Sequence, residues 1–142
     1  MLKRIIWLSV LLLLTGCALR AGEAPPEDVD KAAALFFERL KSAEYEVIYA
    51  DASEQFKEQV DKATIIDNLK QITALGRIQD YRRLRMIFEG EGKNRVASPV
   101  YSVIFDQNVT EITVNFKDEG GEWKLVGFSV KQRGGGGPVQ PS

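Results

Sequence analysis

The spacing of apolar residues changes near the middle of the chain. Before Gly76 apolar residues recur every three or four positions, and after it they alternate with polar ones. The first spacing places apolar side chains on one face of a helix, and the second places them on one face of a strand. Helices followed by strands predict an α+β domain with segregated elements rather than alternating βαβ units.

The first predicted helix begins after Pro26 and carries one apolar face. Acidic residues in its first turn, Asp28 and Asp30, suit the positive end of the helix dipole. The residues at helical spacing are Val29, Ala33, Phe36, Phe37 and Leu40. This pattern predicts a core-facing helix.

Two later helical stretches carry capping signals. Residues 43–57 fit a short helix, a break and another helix, with Ser53 as the N-cap of the latter. Asp61 is placed to cap a further helix that ends at Leu75. Gly76 is then predicted to take the left-handed conformation at the C′ position.

Four strands are predicted after Gly76. The first spans Ile78 to Glu89, where alternation places Leu84, Met86 and Phe88 opposite Arg83, Arg85 and Ile87. Pro99 is predicted to open the second strand, which runs to residue 106. The third alternates most clearly, with Thr110, Ile112, Val114 and Phe116 on one face. A hairpin turn at 118–121 leads to the fourth, residues 123–130, which predicts an antiparallel meander.

The first seventeen residues follow a third pattern. Lys3 and Arg4 precede an apolar run that is interrupted only by Ser9, has the length of a secretory signal and is too short to span a bilayer. The run ends in Leu14-Thr15-Gly16-Cys17, which resembles the lipobox of bacterial lipoproteins. The resemblance implies a signal peptide at 1–16 and a palmitate-bearing lipid on Cys17. The alternatives are an ordinary signal peptide and an uncleaved anchor.

The lipobox also implies a location. Two or more acyl chains anchor a protein stably, so the mature protein is expected on the periplasmic side of a membrane of the cell envelope. By resemblance to lipoprotein sorting in diderm bacteria, Ala18 differs from the aspartate that retains lipoproteins in the inner membrane. The inner leaflet of the outer membrane is therefore the expected address in a diderm source.

Composition divides the rest of the chain into three parts. Residues 17–27 form a predicted tether after the acylated cysteine, because Pro25 and Pro26 follow a stretch without apolar periodicity. Residues 28–132 have the size of one domain. Residues 133–142 contain four consecutive glycines and two prolines, which predicts a disordered tail.

Charge and residue content exclude several classes of function. Loss of residues 1–16 takes Lys3 and Arg4 from the 19 basic residues and none of the 20 acidic ones, so the net charge falls from −1 to about −3. Binding to nucleic acid is therefore not expected. The chain has no histidine and only one cysteine, which excludes His-dependent nucleophile systems, an internal disulfide and a Cys/His zinc site. No metal or other cofactor is expected.

The order of elements resembles the cone-shaped α+β superfamily named for nuclear transport factor 2, also called cystatin-like. The resemblance depends on Tyr45, Tyr49, Ser53, Phe56 and Lys57 in the helices, on residues 74–76 and 100–105, and on residues 121–128 in the last predicted strand and its turn. More narrowly, the chain is similar to exported bacterial domains of unknown function. The resemblance implies a curved sheet around the first helix, with a concave pocket or a sheet face for a protein partner or a homodimer.

Two hypotheses for function remain from the residues. A non-catalytic binding or interaction module is preferred, because no catalytic set is evident. The alternative is a periplasmic isomerase or hydrolase that uses Asp106 as a base with a hydroxyl of Tyr45, Tyr49 or Tyr101. The preferred interpretation of these four residues is structural, with Asp106 at a strand end and the tyrosines packed with a hydroxyl at the rim. Four arginines, Arg77, Arg82, Arg83 and Arg85, form a cluster that alternation divides, with Arg82 on the face opposite Arg83 and Arg85.

Overall fold

A computed structural model describes residues 24–106 and 108–132. The predicted signal peptide, Cys17, residues 18–23 of the predicted tether and the tail at 133–142 lie outside the described residues. None of the helices in the described ranges has both the length and the apolar character that a membrane crossing requires.

Four helices precede a four-stranded sheet. The helices are α1 (Asp28–Lys41), α2 (Tyr45–Asp51), α3 (Glu54–Gln59) and α4 (Lys62–Thr73). The strands are β1 (Ile78–Glu89), β2 (Val96–Phe105), β3 (Val109–Glu119) and β4 (Glu122–Gln132), with a 3₁₀ turn at Gly92–Asn94 between β1 and β2. Each strand pairs antiparallel with the next, in the order β1-β2-β3-β4. The predicted α+β class, with helices packed on an antiparallel four-stranded sheet, is confirmed.

The core lies between α1 and one face of the sheet. Every residue predicted to face the core from α1 is buried: Val29, Ala33, Phe36, Phe37 and Leu40. The ring of Phe37 stacks on Tyr81 at 4.4 Å between centroids and meets Tyr101 edge-on at 5.1 Å. From β3, Thr110, Ile112, Val114 and Phe116 are buried, which confirms the predicted alternation.

Both predicted N-caps are present. The Ser53 hydroxyl accepts a hydrogen bond from the backbone N–H of Phe56 at 3.1 Å, and an Asp61 carboxylate oxygen accepts one from Thr64 at 3.0 Å. The prediction for the end of α4 was wrong by one position. Ala74 is the C-cap, and Gly76, with φ of +125°, comes two residues after it. The positive φ favours glycine at this position, and a Cβ at Gly76 would in addition crowd Asp106 Oδ2 at 3.0 Å.

Ser53→Ala should lower the free energy of unfolding by about 1–2 kcal/mol, because the buried cap leaves an amide of α3 without its acceptor. Urea unfolding of the purified protein measures the effect. Ser42→Ala is the control, since Ser42 is an exposed serine at the C-terminal end of α1. An equal, small loss in both variants would contradict the capping role.

A β-bulge corrects the prediction for β1. Arg83 pairs with Tyr101 and Arg85 pairs with Val100, so Leu84 is an extra residue on β1. Because Tyr101 is buried against α1, Arg83 also lies on the helix-facing side of the sheet. Arg82 and Arg85 lie on the opposite side, here called the outer face. Strict alternation predicted Arg85 on the same face as Arg83, and Leu84 on the same face as Met86. The inserted residue shifts the register between Arg83 and Arg85, so this prediction was wrong.

The limits of β2 also differ from the prediction. The strand begins at Val96 rather than at Pro99 and ends at Phe105, one residue before Asp106. Pro99 pairs with Met86 of β1, whereas the regular pairing of β2 with β3 skips residues 98 and 99. The strand tolerates proline because the missing N–H falls at this interruption.

Candidate functional site

Asp106 lies at a loop junction rather than in a pocket. Its carboxylate accepts hydrogen bonds from the Arg77 backbone N–H at 2.9 Å and from Gln79 Nε2 at 2.8 Å, and about half of its side chain is exposed. The backbone hydrogen bond from Arg77 lowers the pKa of Asp106 most, with help from Gln79 and the Arg77 charge, and outweighs the opposing effect of desolvation. A general base that acts near neutrality needs a pKa shifted upwards.

The three candidate tyrosines occupy three separate environments. Tyr45 Oη and Thr73 Oγ1, 2.7 Å apart, connect α2 to α4. The ring of Tyr49 lies beneath the ammonium groups of Lys57 and Lys62, at 5.9 and 5.6 Å. Tyr101 Oη donates to Asp30 at 3.1 Å, and Asp30 also pairs with Arg83. Burial raises the pKa of the Tyr101 phenol. Thus the four candidates bond to different partners and do not converge on one site.

The stability conferred by Asp106 should depend on pH. Because its folded pKa is below that of the unfolded chain, the contribution is present at neutral pH and is lost as the pH falls through the folded value, below about 4. The difference in urea midpoint between the wild type and Asp106→Asn should therefore shrink between pH 7 and pH 2 to 3. A difference that stays constant or grows towards acid would contradict this assignment.

The described residues form a shallow groove between α1, α2 and the ends of β3 and β4. Its volume is about 120 Å³. Its floor consists of Phe36, Ile48, Phe116, Trp123 and Leu125. Sites for drug-sized ligands usually enclose about 300–1,000 Å³, whereas a cavity of about 150 Å³ holds one benzene. The groove therefore has the size of one apolar side chain.

Charged residues and one exposed leucine form the rim of the groove. Arg39 Nη1 lies 2.5 Å from an Asp51 carboxylate oxygen, and Lys124 Nζ lies 3.2 Å from Glu122. Leu35, also at the rim, leaves 48% of its surface exposed. An apolar centre with a polar rim is the usual anatomy of a protein–protein contact. The apolar spacing of α1 indicated Phe36 as a core residue, but no local pattern indicated that residues from four elements would meet here.

The start of the described chain is fastened to the sheet by a set of contacts here called the clasp: Ala24, Pro25, Arg95, Asp118 and Trp123. The fully buried Ala24 donates its N–H to Asp118 Oδ2 at 2.7 Å, and its carbonyl accepts from Arg95. Trp123 Nε1 donates to the Pro25 carbonyl at 2.9 Å. Trp123 therefore belongs to both the clasp and the groove. Within the predicted tether, Ala24 is buried and Pro25 accepts a hydrogen bond from Trp123, so this end of the segment contacts the domain.

Comparisons with known proteins do not assign the chain to a family or a function. No protein-family model matches the chain, and no curated protein is significantly similar to it. Within residues 24–106 and 108–132, no cluster of three or more acidic or cysteine side chains is arranged to hold a metal ion. The function must therefore be inferred from the residues of the groove, the clasp and the N-terminal motif.

Proposed function

We propose that the protein is an envelope lipoprotein, anchored through acyl chains on Cys17, whose domain is a non-catalytic protein-interaction module. The main support for this proposal is the groove, because its apolar floor has room for one side chain of a partner beside the exposed Leu35. Buried apolar anchors that insert into such pockets supply most of the energy of many protein–protein contacts.

The alternative enzyme has less support. A base at Asp106 would need a raised pKa and a neighbouring tyrosine hydroxyl, but the pKa of Asp106 is lowered and the tyrosines bond elsewhere. The groove also lacks the volume usual for a substrate pocket. An interaction module requires neither feature.

The location and the family are parts of the same proposal. The lipobox around Cys17 supports lipid anchoring, and Ala18 supports the inner leaflet of the outer membrane in a diderm cell. The observed order of helices and meander agrees with the resemblance to the nuclear-transport-factor-2-like superfamily. The acidic balance of the mature chain supports a partner other than nucleic acid.

A charge placed at the rim of the groove should abolish partner binding. In the native host, crosslinking of the envelope should join the tagged protein to a partner in the wild type and not in Leu35→Asp, because a carboxylate cannot be desolvated against an apolar anchor. Val47→Asp is the matched control, since Val47 is another exposed apolar residue on a helix and does not line the groove.

Both variants should unfold at nearly the wild-type midpoint, because the two positions are exposed. A partner captured equally by the wild type and both variants would contradict the assignment of the groove. An adduct between two copies of the chain that depends on Leu35 would instead identify a homodimer.

A further inference from the structure

The clasp connects the proposed anchor to the half of the domain that contains the groove. We infer that the groove is held on the membrane-facing side of the domain and that its partner is a protein of the same membrane. The inference rests on the proposed acylation of Cys17 and adds to it an orientation and a class of partner.

The clasp contains the first described residue of the chain after the proposed anchor. Ala24 is fully buried and bonded through both its N–H and its carbonyl, and Asp118, which accepts from it, is itself buried. Only residues 18–23 lie between Cys17 and Ala24. At about 3.3–3.6 Å per residue, the steps from the Cα atom of Cys17 to the Cα atom of Ala24 span at most about 25 Å. The clasp must therefore remain within that distance of the lipid.

The strand directions define two ends of the domain. The clasp end contains the turn between β3 and β4 together with the Gly92–Asn94 turn, because β1 and β3 end there and β2 and β4 begin there. The far end contains Asp106, Asn108 and the last residue of β4. An eleven-residue strand such as β3 spans about 35 Å, so the far end lies well beyond the clasp end from the anchor.

The groove lies near the clasp end. Trp123, Lys124 and Leu125, which line it, directly follow the turn between β3 and β4, and Phe116 comes shortly before that turn. Trp123 also bonds to Pro25 of the clasp. Any orientation that keeps the clasp near the membrane therefore keeps the groove near it as well.

The charges at the clasp end favour a protein over the lipid surface as partner. Domains that dock on anionic leaflets present a surplus of Lys and Arg. Here the acidic residues Glu89, Glu91, Asp118, Glu119 and Glu122 accompany the basic residues Lys93, Arg95, Lys117 and Lys124, so there is no basic surplus to attract headgroups. A protein confined to the same membrane is instead present at a high effective concentration, which strengthens a contact as small as one side chain in a groove.

Energy transfer on vesicles tests the orientation with the full-length acylated protein. Because lipid occupies the only native thiol, a fluorescent donor can be attached at Leu35→Cys, at the groove, or at Asn108→Cys, at the far end. The acceptor is a rhodamine headgroup in vesicles of phosphatidylethanolamine and phosphatidylglycerol. Transfer should be stronger from position 35. A Gly-Ser insertion between Gly22 and Glu23 that triples the linker should weaken it.

The outcomes separate the two proposals. A protein that does not float with the vesicles would overturn the anchoring and the orientation that rests on it. A protein that floats but shows equal transfer from both positions, or no response to the longer linker, would overturn the orientation alone.

Photocrosslinking in the native host tests the class of partner. A photoreactive phenylalanine analogue at Leu35 should capture a membrane protein in the anchored chain. The same domain, released into the periplasm by an ordinary signal peptide and without Cys17, should give at least about tenfold less adduct, because the effective concentration is lost. Equal yields, a soluble partner, or adducts with lipid alone would overturn the inference.

Discussion

Replacing Cys17 by serine is expected to abolish lipid labelling and stable membrane association together. Each acyl CH₂ buried in a bilayer contributes about 0.8 kcal/mol, and the described part of the chain offers no membrane-crossing helix that could substitute for the lipid. Expression in a diderm host with a palmitate analogue, followed by membrane fractionation, measures both effects. Wild type should be labelled and sediment with membranes, whereas Cys17→Ser should be unlabelled.

A relocated thiol provides the control for this prediction. In Cys17→Ser/Ser42→Cys the cysteine is restored at an exposed position outside the lipobox and should stay unlabelled. Labelling of this double variant would show that any exported thiol is modified. An unlabelled, soluble wild type would refute the lipoprotein proposal and favour a free exported protein.

Asp118→Ala is expected to cause the largest loss of stability of any substitution proposed here, about 3–5 kcal/mol in the free energy of unfolding. The buried carboxylate accepts from Ala24, from Gly121 at 3.1 Å and from Arg95 Nη2 at 3.3 Å. Its removal leaves the guanidinium of Arg95 without this carboxylate and also leaves two backbone amides without acceptors. Urea unfolding of the purified protein measures the loss.

Glu122→Ala is the matched control for Asp118. Glu122 is an acidic residue near the same turn, its side chain is 72% exposed, and it pairs with Lys124. An exposed ion pair contributes little, so the control should change the free energy of unfolding by less than about 1 kcal/mol. If both variants lose equally little, the clasp does not stabilise the domain. Limited proteolysis near Ala24 should also accelerate in Asp118→Ala only.

Local signals predicted most of the fold, because its elements depend on neighbouring residues. The spacing of Phe36 and Phe37, the cap at Ser53 and the alternation in β3 each act within a few residues. The bulge at Leu84 gave no such signal, since an inserted residue is defined by the partner strand. The start of β2 was predicted too late, at Pro99, for the same reason: the residues before Pro99 belong to the strand because they pair with β1.

The groove and the clasp could not be predicted from local patterns. Ala24 bonds to Asp118 across 94 positions of sequence, and Trp123 bonds to Pro25 across 98. Proline-rich composition made residues 24–27 look like a tether, although the backbone groups of Ala24 and Pro25 bond to distant side chains. Asp106 was predicted at the end of a strand and lies one residue after β2, and its partners are Arg77, just before β1, and Gln79 of β1 rather than a tyrosine.

The bulge at Leu84 also affects how copies of the protein can meet. β1 is an edge of the sheet, and a long, flat edge would template strand addition between molecules crowded on one surface. The extra residue twists this edge, and Arg82, Arg83 and Arg85 surround it with charge. At the other edge, the Leu125 carbonyl of β4 already accepts from Ser53. Both edges therefore carry features that disfavour pairing of one copy with another through shared backbone hydrogen bonds.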